Sequence, residues 1–222
     1  MPTQYVIITA GGMGSRMGTS TPKQFLELNG TPVIMHSILA FLNYSESIKL
    51  ILVLPENSVS NWKELCIKHQ FNVDHEVCPG GKTRFESVKN GLEHVDDEGL
   101  VAVHDAVRPL ASQSLIKRCF EEASLHGNSV PAIPLKDSVR ETSGNDNRPV
   151  DRNKFMMIQT PQVFDILKIK KAYEQAYRTS FTDDATVVES VGVKINLVEG
   201  EHSNIKITTK EDLALAETLI RL

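Results

Sequence analysis

The sequence predicts an α/β fold: a Rossmann-like, three-layer α/β/α domain with a mostly parallel sheet and a projecting β-arm. Three observations predict it. Short apolar runs that read as buried strands alternate with segments of helical period, as in a parallel sheet covered on both faces. A glycine-rich stretch, Thr9-Ala-Gly-Gly-Met-Gly-Ser-Arg-Met-Gly18, directly follows the first apolar run. An acid and an arginine, in Asp105-Ala-Val-Arg-Pro109, follow another, and strand ends of this kind are where α/β proteins bind ligands.

The elements follow in order. Tyr5–Ala10 reads as the first strand. Asn29-Gly30 reads as a tight turn, Thr31 as an N-cap with Pro32 at the first helical position, and the helix as running to about Asn43. Leu50–Leu54 is a buried strand, Ser58–His69 a second helix and Val73–Cys78 a short third strand. A second glycine turn, Gly80-Gly81, opens a helix whose apolar stripe is Val88, Leu92 and Val95. Leu100–His104 is a strand; Ser112 caps the next helix and Gly127 ends it; Val130–Leu135 is a further strand. Phe155–Gln159 returns to the core, Asp165–Arg178 is a helix, and Thr182 starts another that stops at Gly192. Val193–Glu199 and Asn204–Ile207 read as strands, and Thr208 with Glu211 as the capping box of a last helix.

From 136 to 154 the pattern breaks. Two polar strands flank Ser143-Gly-Asn-Asp-Asn147, which describes an arm projecting from the body. An isolated hairpin is marginally stable, and packing against a second subunit would supply its missing support. The chain, 1–222, otherwise reads as one domain, with no internal repeat or linker.

Composition narrows the function classes. A formal net charge of −4 argues against a nucleic-acid binder, and no apolar stretch reaches the length of a membrane span. The N-terminus lacks the basic opening of a signal peptide. Cys66, Cys78 and Cys119 are odd in number without C-x-x-C spacing, which suits free thiols in a reducing cytoplasm.

Gly12, Gly14 and Gly18 allow a sharp turn whose bare N–H groups come close to an anion, and Arg16 and Lys23 add charge for a nucleoside triphosphate. The string is not a P-loop, which needs G-x-x-x-x-G-K-[ST]. Nor is it a dinucleotide loop: the third glycine comes one residue late, and the ribose-binding acid is missing from its place. That counts against a nicotinamide-dependent oxidoreductase. Arg84, Asp105, Arg108, Arg152, Thr160, Thr182 and Lys206 fall at strand ends or in the loops after them. Such a set suits phosphoryl or nucleotidyl transfer, which needs alignment and charge stabilisation more than covalent help. His104, between an apolar strand and Asp105, reads as a packed structural histidine.

Ala10-Gly-Gly-Met-Gly-Ser-Arg-Met-Gly18 with Pro22-Lys-Gln24 resembles the signature of the sugar-nucleotidyltransferase superfamily. Gly80-Gly-Lys-Thr-Arg-Phe-Glu-Ser-Val88, Val103-His-Asp-Ala-Val-Arg-Pro109, Val150-Asp-Arg-Asn153, Thr160-Pro-Gln162, Thr182-Asp-Asp-Ala185 and Asn204-Ile-Lys-Ile-Thr208 resemble the 2-C-methyl-D-erythritol 4-phosphate cytidylyltransferases over nearly the whole chain. One departure, Ala10-Gly11-Gly12 where many members have Ala-Ala-Gly, also resembles the ribitol 5-phosphate cytidylyltransferases, so the polyol phosphate stays open between the two. A non-catalytic nucleotide-binding protein is the alternative of another class.

The resemblance implies CMP transfer from CTP to a polyol phosphate, with Mg²⁺. It implies that Arg16, Lys23 and Lys206 serve catalysis, and that Ala10, Gly11, Gly12, Gly14, Gly81, Arg84, Ser87, Asp105 and Ala106 bind CTP. It implies that Arg108, Ser138, Arg152, Thr160 and Thr182 hold the polyol phosphate, with Asp105 at the metal. Ser138 and Arg152 would come from the partner of a homodimer formed through the arm.

Overall fold

The computed structural model of the chain describes residues 2–10, 21–96 and 98–221. Strand β1 (Gln4–Thr9) shows how the layers arise: Val6 and Ile8 enter one hydrophobic core, while Tyr5 and Ile7 enter another on the opposite face. Side chains alternate along a strand, so a run apolar at every position needs cover on both sides. The first core takes its cover from α1 (Val33–Tyr44), α2 (Val59–Lys68) and α4 (Gln113–His126). The second is covered by α3 (Arg84–Leu92), α5 (Ile166–Ala172) and α6 (Asp184–Glu189).

The remaining strands of the main sheet are β4 (Lys49–Leu54), β5 (Glu76–Pro79), β6 (Leu100–Asp105), β7 (Asn128–Pro134), β10 (Met156–Ile158), β11 (Gln162–Asp165) and β12 (Leu197–Glu199). Their order is β10-β7-β11-β6-β1-β4-β5, with β12 paired to β7. Strands β6, β1, β4 and β5 are mutually parallel. β11 runs antiparallel between β6 and β7, and Ala132 of β7 pairs with Ile158 on one side and Glu199 on the other. The sheet is therefore parallel around β1 and mixed beyond β6.

Away from this sheet, β2 (Glu27–Leu28) and β3 (Thr31–Pro32) form a small hairpin through Asn29 (φ 49°) and Gly30 (φ 78°), the positive pair that a tight hairpin turn needs. The arm is β8 (Val139–Ser143) against β9 (Asp146–Val150), closed by Gly144-Asn145. Helix α7 (Lys210–Leu219) buries Ala216 in a third, small cluster with Leu28, Val33, Val107 and Ile207.

Several element bounds differ from the sequence reading. Thr31 does not cap α1: it pairs in β3, and Pro32 precedes the first helical residue, Val33. β5 starts at Glu76 rather than Val73, and the helix expected over Asp165–Arg178 is the shorter α5, Ile166–Ala172, capped by Asp165, the last residue of β11, whose two apolar residues are too few to show as a strand. Asp183, not Thr182, caps α6, in a reciprocal box with Thr186. Thr209 with Asp212 caps α7, one residue past the expected box; Asp212 Oδ2 also accepts from the Thr208 backbone and hydroxyl. Only Leu197–Glu199 of the expected 193–199 strand pairs, and Asn204–Ile207 has no strand assignment. Phe155–Ile158 does not return to the core: its four side chains are 38–48% exposed on the paired strand at the foot of the arm. Ser112 and Gly127 (φ 82°) stand where expected, whereas α6 ends at Glu189 with Ser190 as its C-cap, and Gly192 (φ 86°) lies in the turn beyond. Among the described residues, no helix is long and apolar enough to cross a membrane.

Gly91 decides how closely α3 sits on the sheet. A Cβ there would lie 2.8 Å from Ile7 Cγ2 and 3.1 Å from Val53 Cγ2, both in the core. Alanine would gain about 1 kcal/mol of helix propensity, but overpacking a tight core costs about 1–3 kcal/mol. The closeness of both contacts makes the second effect win. Gly91→Ala is expected to lower the urea-unfolding midpoint, and a raised midpoint would refute this account of the α3 contact.

Candidate active site

The carboxyl ends of β1 and β6 lie side by side, with Thr9 paired to Asp105. The glycine-rich stretch leaves one and the Asp105–Pro109 turn leaves the other. A cavity of about 310 Å³ opens there, lined by Thr9, Ala10, Lys23, Gln24, Gly81, Lys82, Thr83, Arg84, Ser87, Asp105, Val107 and Lys206. A larger groove of about 810 Å³ lies at the other end of the sheet, near Gln4 and Leu100. Among the described residues its charged lining is Lys117 and Glu121, which face each other at 3.8 Å, so it lacks the charge that the first cavity carries.

Asp105 is the centre of that charge. Its side chain is only 10% exposed and faces three cations. Lys206 Nζ lies 2.9 Å from Oδ2, Arg108 Nε 3.3 Å from Oδ2, and Arg84 Nε 3.9 Å from Oδ1. Burial alone pushes the Asp105 carboxyl up; the charges of Arg84, Lys206 and Arg108 outweigh it and hold the group well below the ordinary carboxylate range. Arg84 also makes a fork to Asp184, with Nη1 to Oδ1 at 2.9 Å and Nη2 to Oδ2 at 2.5 Å. Asp184 is wholly buried and also accepts the Tyr173 hydroxyl at 2.7 Å. Burial disfavours the Arg84 charge, but Asp184 and Asp105 raise its pKa. Asp184 was not singled out from the sequence; its signal is the second acid of Thr182-Asp-Asp-Ala185.

The cavity wall is built by hydrogen bonds that leave it small and fixed. Thr83 caps α3 in a reciprocal box with Glu86. Ser87 Oγ accepts from the Gly81 amide and donates to the Thr83 carbonyl. A Cβ on Gly81 would lie 2.2 Å from Glu86 Cβ, so only glycine fits beside that helix turn. On the β1 side, the buried Gln24 amide donates to the Ala10 carbonyl, which ties the turn bearing Lys23 to the strand end. Ala106 is buried: its amide donates to Thr9 O, and its carbonyl accepts from Ser37 of α1.

The structure thus brings together Ala10, Lys23, Gly81, Arg84, Ser87, Asp105, Ala106, Arg108 and Lys206. Thr160 lies beside them, with its hydroxyl engaged by the Asp105 amide and His104. Thr182 is exposed just ahead of α6, outside the cap. Ser138 and Arg152 stand apart, exposed at the foot of the arm, where Arg152 bonds the Lys136 carbonyl. Gly11, Gly12, Gly14 and Arg16 lie outside the described residues.

His104 is wholly buried and stacks edge-on against Phe41, with ring centroids 5.0 Å apart. Burial pushes its pKa down to about 4, against 6.5 for the free side chain. Between these values the unfolded chain holds a proton that the folded one lacks, so acid favours unfolding. The gap corresponds to ~3 kcal/mol. His104 should therefore make stability fall as pH drops from about 6.5 towards 4. Urea titrations at pH 7, 5.5 and 4.5 are expected to show a steeper loss for the parent than for His104→Phe; equal slopes would contradict the burial argument.

Comparison with known proteins follows the same lines. The family model described as 2-C-methyl-D-erythritol 4-phosphate cytidylyltransferase (IspD) matches residues 4–222. Proteins of that name from Bacteroides thetaiotaomicron and Bacteroides fragilis are 46% and 48% identical, covering 98% and 96% of this chain and 99% and 98% of their own. The crystal structure of the enzyme of that name from Thermus thermophilus aligns over all of both chains at a TM-score of 0.78 and 30% identity. The 4-diphosphocytidyl-2C-methyl-D-erythritol synthase of Anaerococcus prevotii aligns over 99% of this chain and 96% of its own, at 0.82 and 29%. With a cationic cavity at the end of a doubly covered sheet and a family match over almost its full length, the chain belongs to the 2-C-methyl-D-erythritol 4-phosphate cytidylyltransferases.

Proposed function

We propose that the cavity at the ends of β1 and β6 is where this chain joins CTP to 2-C-methyl-D-erythritol 4-phosphate, releasing pyrophosphate. The observation that carries the reading is the gathering of Lys206, Arg108 and Arg84 on the buried Asp105, in a cavity that Lys23 also lines. The family match favours methylerythritol phosphate over ribitol phosphate as acceptor.

The chemistry asks little of the protein beyond charge and alignment. A phosphate monoester with a second pKa of about 6 is already mostly dianionic at neutral pH. One of its oxygens attacks the α-phosphorus of CTP, the bond to the β-phosphate oxygen breaks, and pyrophosphate leaves. No proton has to be removed from the nucleophile. The described residues of the site agree, since neither candidate base is free: His104 is buried with both ring nitrogens bonded, and Asp105 is neutralised by cations. In this reading Arg16, Lys23 and Lys206 stabilise the triphosphate and the charge that builds at the α-phosphorus. Lys206 rests on Asp105 at 2.9 Å and exchanges that carboxylate for phosphate oxygens.

Ala10, Gly81 and Ser87 line the cavity closely and favour cytosine over a purine, while the CTP-binding roles of Gly11, Gly12 and Gly14 rest on the family resemblance alone. Arg84 braces the wall, while Asp105 and Ala106 face the ribose. Arg108, Thr160 and Thr182 face the acceptor, with Thr160 acting by position because its hydroxyl is engaged.

The donor set suits a divalent cation carried by the nucleotide. Among the described residues, no group of three or more His, Cys, Asp or Glu could hold a metal by itself. Mg²⁺ typically takes one or two carboxylates together with substrate phosphates, and Asp105 is the carboxylate at this cavity. When bound, the ion would neutralise phosphate charge.

Four neighbouring half-exposed apolar side chains, Phe155–Ile158, at the foot of an arm outside all three hydrophobic clusters support a homodimer. Ser138 and Arg152 would then enter the partner's acceptor site. The buried thiols Cys78 and Cys119 suit a reducing cytoplasm.

Pyrophosphate release with CTP, Mg²⁺ and either methylerythritol 4-phosphate or ribitol 5-phosphate tests the reading; release with the second alone would overturn the acceptor. Lys206→Ala is expected to cut kcat about 100-fold or more with the CTP KM changed far less, and near-parental kcat would remove Lys206 from the catalytic set. Met157→Glu places a charge on the proposed dimer face. It should yield monomers in sedimentation and raise the acceptor KM more than the CTP KM; a persisting dimer would exclude this face.

A further inference from the structure

We propose that His104 is a positioning residue that locks the acceptor side of the site, holding the Asp105–Arg108 turn against the segment that carries Lys206. The inference rests on the reading that Arg108 faces the acceptor phosphate.

The geometry is a closed circuit of hydrogen bonds. The Asp105 amide donates to Thr160 Oγ1 at 3.1 Å. Thr160 Oγ1 lies 3.1 Å from His104 Nδ1, and His104 Nε2 lies 3.0 Å from the Arg108 carbonyl. Arg108 Nη1 donates to the Asn204 carbonyl at 2.7 Å, and Asn204 Nδ2 donates back to the Thr160 carbonyl at 2.8 Å. His104, Thr160 and Asn204 are each at most 4% exposed, and Arg108 is 9% exposed, so water does not compete for these bonds.

Donor and acceptor roles follow. A carbonyl only accepts, so the proton sits on Nε2. A neutral ring then accepts at Nδ1, so the Thr160 hydroxyl must donate to it and accept from the Asp105 amide. Each link has one direction, and the imidazole connects the two halves.

The circuit matters because Asn204–Ile207 has no strand ladder. Its position comes from individual bonds: Arg108 and Gln159 to the Asn204 carbonyl, Asn204 to Thr160, and the Ile207 amide to Val107 O. Lys206 lies within this segment, so its reach depends on the turn that His104 fixes.

Three variants of the full chain test this by steady-state kinetics and thermal unfolding: His104→Phe, His104→Gln and Arg108→Ala. Phenylalanine keeps a ring against Phe41 and removes both links. It is expected to raise the acceptor KM about fivefold or more and to lower kcat, with the CTP KM within about twofold. Glutamine offers one donor and one acceptor, as the neutral ring does, and should recover most of the lost kcat/KM. A merely structural role would instead lower the unfolding midpoint and shift both KM values together, without recovery. An Arg108→Ala effect on the acceptor KM with a silent His104→Phe overturns the inference alone. A silent Arg108→Ala overturns the acceptor-site reading and the inference with it. Should His104→Phe fail to fold, Thr160→Val breaks the circuit at Nδ1 and is expected to give the same KM split; parental constants there would also overturn the inference.

Discussion

A carboxylate removed from water must be compensated, and Asp105 organises the molecule through that demand. It sits at the end of β6, with its backbone fixed by the β1 pairing and its side chain 10% exposed. Burying such a charge is costly unless it is paired. The compensation comes from Arg108, three residues on in the turn after β6, and from two segments distant in sequence: Arg84 at the start of α3 and Lys206 beyond β12. One acid therefore draws three segments to one point. Asp184 anchors Arg84 from the far side, so three cations meet two carboxylates and the cluster keeps a surplus of positive charge. Under the proposed function, a triphosphate or a phosphate monoester would meet charges already in place, without reorganisation at the moment of reaction.

The two cores explain why the site is rigid where it has to be. β1 lies between β6 and β4 with helices on both faces, so its end cannot shift without disturbing both cores. The Thr9 carbonyl, the Ala106 amide and carbonyl and the Ala10 carbonyl are all hydrogen-bonded within this frame. The acceptor side is built differently. Beyond β6 the sheet turns mixed, and Asn204–Ile207 depends on individual bonds, side-chain and backbone, rather than a ladder. The β1 side of the cavity is thus framed by regular structure, and the proposed acceptor side by a chain of buried polar groups.

Part of this was legible in the sequence because it depends on neighbours. The strands around β1 announce themselves by unbroken apolar runs, the end of α4 by Gly127 and its start by Ser112, and the hairpin by Asn29-Gly30. The glycine wall and the basic residues near it followed from the electrostatics of holding phosphate, and the motifs that carry the family resemblance lie at those strand ends. The misreadings have a common cause. Thr31, Thr182 and Thr208 each resemble a cap, yet the residue chosen was set by where the preceding chain arrives. Phe155–Ile158 looked like core because it is apolar, but one strand cannot tell whether a neighbour covers it.

What the sequence determined by itself is what periodicity and local chemistry encode: a doubly covered α/β sheet, a polar arm, and basic residues at the strand ends. What only the tertiary structure decided is which polar groups spend their bonds on one another. The Thr160 hydroxyl, expected from the resemblance to hold the acceptor, also joins His104 to the Asp105 amide. Asp184 resembled an ordinary first-turn acid until Arg84, 100 residues away, was found on it. Such pairings join residues far apart in the chain, where spacing carries no information, and they form only once both cores have brought the strand ends together.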